Sequence, residues 1–154
     1  MTIHLLRHAK AGSRRHHVGP DIQRALTKAG LRQAHAIAEE FESIPVDRII
    51  SSEYVRCRET VTPLAHRRRL PVDLDDALAE GASWTALSGL LRKLGGTDVV
   101  LCTHGDVIGN ALENLSAEGV TFGDDLVFPK GSVWVLETVE GDIVSGHHVP
   151  APSS

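Results

Sequence analysis

The 154-residue sequence predicts an α/β fold, a three-layer αβα sandwich around a mostly parallel but mixed sheet. Three observations predict it. Short apolar runs with strand character alternate with helical patterns. Three of those runs end abruptly in residues that carry chemistry. Near the end, Ser132 to Glu137 and Asp142 to Val144 flank Glu140-Gly141 as a hairpin, which adds antiparallel strands.

The elements follow in order. Ile3-His4-Leu5 reads as the first strand and passes through Leu6 into Arg7-His8-Ala9. Lys10 to Gln23, with Gly12, Gly19 and Pro20, is a polar loop at the rim of that strand end. Leu31, Ala34, Ala38 and Phe41 recur at helical spacing behind Thr27, a good N-cap, and Pro45 stops that helix. Asp47 to Ile50 is the second strand, followed by a helix from Glu53 to His66, and Pro71 to Leu74 is the third strand. Ser83 caps a helix through Leu87, Leu90, Leu91 and Leu94 that Gly95-Gly96 ends. Asp98 to Thr103 is the apolar central strand, and Val107 to Leu115 the helix after it. Residues 1–149 read as a single domain and 150–154 as a loose tail.

Composition narrows the function. Hydrophobic residues make up 42% and charged residues 23%, as in an ordinary water-exposed globular chain. The net charge of −4 argues against a nucleic-acid binder that works by bulk charge. Cys57 and Cys102 do not form a disulfide framework and read as reduced thiols. The first residues enter a strand without a signal-peptide pattern, and no apolar run approaches the ~20 residues that span a bilayer. The expectation is a cytoplasmic protein that binds neither nucleic acid nor membrane; its oligomeric state is not legible.

Open α/β sheets bind ligands at the carboxyl ends of their strands. Here the strand ends deliver Arg7 and His8, then Arg56 in Ser51-Ser52-Glu53-Tyr54-Val55-Arg56, then His104 in Thr103-His104-Gly105. Two Arg and two His compose a phosphoryl site around a histidine nucleophile. A guanidinium forks onto two phosphate oxygens and keeps its charge. His16-His17 and His147-His148 lack the spacing of a metal site, so no metal is expected.

With these motifs the chain resembles the histidine phosphatase superfamily, the group that includes cofactor-dependent phosphoglycerate mutases. The family pattern is Arg-His-Gly, then Ser-Ser-Pro-x-x-Arg-x-x-Gln-Thr, then Ser-His-Gly. This sequence reads Arg7-His8-Ala9, Ser51-Ser52-Glu53-Tyr54-Val55-Arg56-Cys57-Arg58-Glu59-Thr60 and Thr103-His104-Gly105. Size and the segment from Asp21 to Ala34 are similar to the small bacterial phosphohistidine phosphatases, and to the domain that follows a Nudix hydrolase domain in some actinobacterial proteins. Ala9 and Glu53 depart from the pattern, and the mutases' Gly-x-Trp-Glu-Gly segment is absent.

The resemblance implies a phosphoglycerate mutase-like fold and a cofactor-free reaction in which His8 becomes phosphohistidine. Arg7, Arg56 and His104 would hold the phosphate. Glu80, placed after the third strand like the family acid, would protonate an ester's leaving oxygen, with Asp106 as runner-up. Arg14, on the loop after the nucleophile, and Arg24 are candidate substrate contacts. Arg24 and the run His66-Arg67-Arg68-Arg69 also fit plain salt-bridge or helix-end roles. The chain has no long insertion to act as a lid, and only the Lys10–Gln23 loop could serve. That favours an open site acting on phosphohistidine of a phosphotransfer protein. A small phosphate ester, such as a nucleotide or sugar phosphate, and a non-catalytic phosphate-binding regulator are the alternatives.

Overall fold

The computed structural model describes residues 1–153. Its elements are β1 (Thr2–Arg7), α1 (Lys28–Glu40), β2 (Arg48–Ser51), α2 (Val55–Arg68), β3 (Val72–Leu74), α3 (Trp84–Leu94), β4 (Val99–Thr103), α4 (Gly105–Ala117), β5 (Thr121–Phe122), β6 (Val133–Val139) and β7 (Asp142–Val149). Single 3-10 turns lie at Asp21–Gln23 and Asp76–Leu78. The seven strands form one sheet in the order β3-β2-β4-β1-β6-β7-β5. β3, β2, β4 and β1 are parallel. β6 runs against β1, β7 against β6, and β5 lies parallel to β7.

Successive side chains of a strand point to opposite faces. Ile3 and Leu5 of β1, with Leu101 of β4 and Trp134 of β6, pack under α3 and α4. Leu6, Val100 and Cys102 point the other way, into the core made with α1 and α2. Helices thus cover both faces. The chain leaves β1 towards α1 on one face and leaves neighbouring β4 into α4 on the opposite face. A crevice opens between those two strand ends, at the point where the strand order reverses.

Local signals place most of the boundaries. Thr27 accepts from Gly30 N at 3.0 Å and starts α1. Ser83 accepts from Ala86 N at 3.2 Å and starts α3. Glu140 and Gly141 both have positive φ, 51° and 85°, as a two-residue hairpin turn matching the strands' twist requires.

The structure also corrects the sequence reading. α2 begins two residues later than Glu53, at Val55, and α4 begins earlier than Val107, at Gly105. β5 and both 3-10 turns were not anticipated, being two or three residues long. Arg68 donates to the carbonyls of Phe41 and of Ile44 (2.6 Å), so it caps the end of α1 rather than serving its own helix dipole. Pro150 to Ser153 carry no regular structure, and Ser154, the last residue of the expected tail, lies outside the described residues. Among the described residues no helix is long and apolar enough to cross a membrane.

Candidate active site

His8 follows β1 directly and is 5% exposed. Its backbone N–H continues the ladder to Thr103 O at 3.1 Å, and its Nδ1 lies 2.8 Å from Ala9 O. A carbonyl only accepts, so Nδ1 carries the proton and the Nε2 lone pair is free. Thr60 of α2 holds the next peptide: Ala9 N donates to its Oγ1 at 2.9 Å, and that hydroxyl donates to Arg56 O at 2.6 Å. Ala9 is not among the positive-φ residues, so an alanine fits where the family pattern has glycine. Burial is the main force on the imidazole. It is opposed by the Ala9 carbonyl and helped by His104, Arg56 and Arg7, and His8 is pressed down to about 3. His8 is therefore a neutral base with a fixed tautomer.

Cationic and polar donors surround it. Arg7 ends β1, and its Nη1 donates to Phe128 O at 2.9 Å. Gly105, the first residue of α4, lies flat against the Arg7 guanidinium; a Cβ there would sit 2.8 Å from Cζ. Arg56, in the first turn of α2, is 1% exposed and stacks over the Tyr54 ring at 4.8 Å. That ring stands edge-on to His104 at 4.7 Å. His104 is the N-cap of α4, so the helix presents its positive end to the crevice.

Ser52 Oγ accepts from Tyr54 N at 3.3 Å and lies 2.9 Å from His104 Nε2. A hydroxyl that accepts from Tyr54 N can still donate to Nε2, the arrangement that makes Nδ1 the N–H. Ser52, quoted in the sequence only as part of the motif, positions His104. In Ser52→Ala that tautomer loses its partner, and KM for p-nitrophenyl phosphate is expected to rise about tenfold, one charge-assisted contact's worth, with little change in melting temperature.

Three buried nitrogens of this group have no hydrogen-bond partner: Arg7 Nε, Arg56 Nε and His104 Nδ1. Orphaned buried donors are costly and rare unless a ligand satisfies them. Here they belong to the residues that surround the one free lone pair of His8.

Glu80 comes from the turn after the Asp76–Leu78 helix. Thr103 Oγ1 donates to Leu78 O at 2.6 Å, and Gly81 N donates to Asp106 Oδ2 at 2.8 Å. Gly81 has φ +82°, which only glycine adopts easily. Between those two ties Glu80 reaches Arg56 Nη2 at 2.8 Å and Arg14 Nη2 at 2.9 Å. Asp106, the runner-up acid, is engaged in holding the Glu80 turn.

Asp21 had no role in the sequence reading beyond opening the segment to Ala34, and it turns out to be central. It contacts Arg24 at 2.9 Å, Arg56 at 3.1 Å and Arg14 at 3.9 Å. Burial alone would raise its carboxyl, but the Arg24 and Arg56 guanidiniums outweigh that and hold it at about 2. Arg24 is 6% exposed and also donates to Gly12 O at 2.7 Å, so it braces the loop as well as facing the cleft.

One cleft of about 620 Å³ gathers His8, Arg7, Arg56, His104, Glu80, Arg14 and Arg24. Phe128 and Lys130, from the segment between β5 and β6, also line it, and no sequence signal pointed to them. Among the described residues no group of three His, Cys, Asp or Glu is placed to hold a metal. Cys57 and Cys102 are buried and free, and Cys57 Sγ lies 3.5 Å from His104 Nε2.

Comparison with known proteins fits this geometry. The 8-oxo-(d)GTP phosphatase of Mycolicibacterium smegmatis is 28% identical over 156 residues, which is 98% of this chain and 48% of that protein. A Schizosaccharomyces pombe protein described as a phosphatase is 26% identical over 131 residues, 84% of this chain and 62% of its own. The chain thus spans 48% and 62% of the curated relatives it matches. Among solved structures, a SixA from Agrobacterium tumefaciens, described as a phosphohistidine phosphatase, is 26% identical with TM-score 0.73, covering 88% of this chain and 90% of its own. A protein histidine phosphatase SixA in complex with tungstate shares the fold, with TM-score 0.76 at 20% identity and coverage of 99% and 97%. The model of the histidine phosphatase superfamily, branch 1, matches residues 3–85, the stretch that carries Arg7, His8, Arg56 and Glu80. The chain belongs to that superfamily.

Proposed function

We propose that this protein is a metal-independent phosphatase that works through a covalent phosphohistidine on His8 Nε2 and acts on a small phosphate ester. The observation that carries the catalytic part is the set of three orphaned donors around a neutral, tautomer-locked His8. The phosphoryl group lies among Arg7, Arg56 and His104, in front of the α4 N-terminus. The Nε2 lone pair forms the N–P bond in line as the P–O ester bond breaks. Glu80 gives its proton to the leaving oxygen. Water then attacks phosphorus and loses a proton to Glu80, and the N–P electron pair returns to Nε2. A bound phosphate dianion competes with Glu80 for Arg56 Nη2.

Two features favour an ester over a phosphoprotein. An acid stands in the cleft with its turn tied on both sides. The rim loop does reach over the mouth, since Arg14 bonds Glu80 from it. The lack of any longer insertion and the similarity to the SixA of Agrobacterium tumefaciens support a second reading, phosphohistidine of a phosphotransfer protein. An imidazole leaving group needs no such acid.

Glu80→Gln separates the two. With EDTA present, the substitution is expected to lower kcat/KM for an alkyl phosphate by about 10²-fold and for p-nitrophenyl phosphate by much less, because nitrophenolate leaves without a proton. Equal indifference to Glu80→Gln on all esters, with faster turnover of a phosphohistidine-bearing protein, would establish the second reading. Loss of activity on chelation would refute metal independence.

A further inference from the structure

The orphaned donors at the base of the cleft mark where the phosphoryl group sits, at the N-terminus of α4. The rest of a substrate must lie along one of the walls above it. Two cations at the rim are committed: Arg24 to Asp21 and Gly12 O, Arg14 to Glu80. The α4 wall is different. Asp106, Gly109, Asn110 and Glu113 share one face at helical spacing and all line the cleft. Asn110 engages Asn114 through its backbone carbonyl, which leaves its amide side chain for the cleft. The Phe128 ring rests on Gly109, where a Cβ would come within 3.1 Å of its Cζ. From the helix start to Glu113 this wall rises about 12 Å, at about 1.5 Å per residue.

Resting on the ester-phosphatase reading above, we infer that this wall is the leaving-group subsite and that it selects a nucleoside. The ring of Phe128 offers an apolar surface to a flat base, the Asn110 amide pairs with a base edge, and the Glu113 carboxylate accepts from ring N–H or amino donors at the far end. The same carboxylate, with Asp106 below it, repels a leaving group that carries negative charge. A phosphate ester ending in a carboxylate meets two like charges there, whereas a nucleoside monophosphate meets acceptors that match its donors.

The test compares guanosine 5′-monophosphate with 3-phosphoglycerate, using p-nitrophenyl phosphate as the reference. The wild type is expected to favour the nucleotide by at least about tenfold in kcat/KM. Glu113→Gln should narrow that ratio at least about threefold, chiefly by improving the carboxylate ester. Asn110→Ala should raise KM for the nucleotide more than for p-nitrophenyl phosphate. The binding of both ligands to His8→Ala, measured by calorimetry, reads the same wall without turnover and should show the same preference and the same shift when Glu113→Gln is added. Equal wild-type preference, or a ratio that Glu113→Gln leaves unmoved in both assays, overturns the inference. Absence of p-nitrophenyl phosphate turnover in the wild type would instead count against the phosphatase reading, with the calorimetry still deciding the wall.

Discussion

His8→Ala is expected to cut turnover of p-nitrophenyl phosphate by about 10³-fold or more, because it removes the neutral imidazole that forms the N–P bond in the proposed reaction. Rapid quench with labelled substrate should trap an acid-labile phosphoenzyme in the wild type and none in the variant. Label retained in His8→Ala would move the nucleophile elsewhere. The same residue sets a pH expectation. Burial, reinforced by His104, Arg56 and Arg7, holds His8 at about 3 in the folded chain against 6.5 in the free side chain. The nucleophile thus stays unprotonated far below neutrality, and an acid limb from His8 belongs near pH 3 and not near 6.5.

Stability carries the same proton. Between those two values the unfolded chain binds a proton that the native chain refuses. The stability tied to neutral His8 is complete above pH 6.5 and is lost as pH falls towards 3, by up to several kcal/mol. His8→Ala should show a smaller loss of urea midpoint between pH 7 and about pH 4 than the wild type. An equal or larger loss would place the acid sensitivity in other groups.

Gly105→Ala should separate activity from stability. A Cβ at Gly105 meets Arg7 Cζ at 2.8 Å, Nη2 at 3.0 Å and Nε at 3.1 Å. The obstacle is the end of a flexible side chain, so the fold accommodates it by moving the guanidinium away. Alanine also favours a helix over glycine by up to about 1 kcal/mol. The expected result is an unchanged or slightly raised melting temperature with kcat/KM lowered about 10²-fold. Gly89→Ala on α3, where nothing lies within 4 Å, is the control for the helix effect. A Gly105→Ala enzyme with full activity would mean that Arg7 has no fixed role.

Arg7, His8, Arg56 and His104 were legible because each follows an apolar strand run that needs no tertiary context to be recognised. α3 was legible to its caps for the same local reason, Ser83 before it and Gly95 after. Asp21 was not, because its role exists only when Arg14, Arg24 and Arg56 converge on it from separate segments. Phe128 and Lys130 arrive on an irregular connection whose path the sheet edge decides. The start of α4 was placed too late because glycine is a poor helix former; the close approach of Arg7 is what requires glycine there. Ser52 and Thr60 stood inside the quoted motif, yet their work is to orient neighbours, and spacing alone does not display it.

The carboxylate of Asp21 joins the rim loop to Arg56, so loop position and phosphate affinity form a single equilibrium. When the 3-10 turn at Asp21–Gln23 lifts away, Arg56 loses two of its partners, Asp21 O and Oδ2, both at 3.1 Å. Phosphate and the Asp21 carboxylate draw on the same guanidinium edge, so a seated turn opposes anion binding and a bound anion loosens the turn's hold.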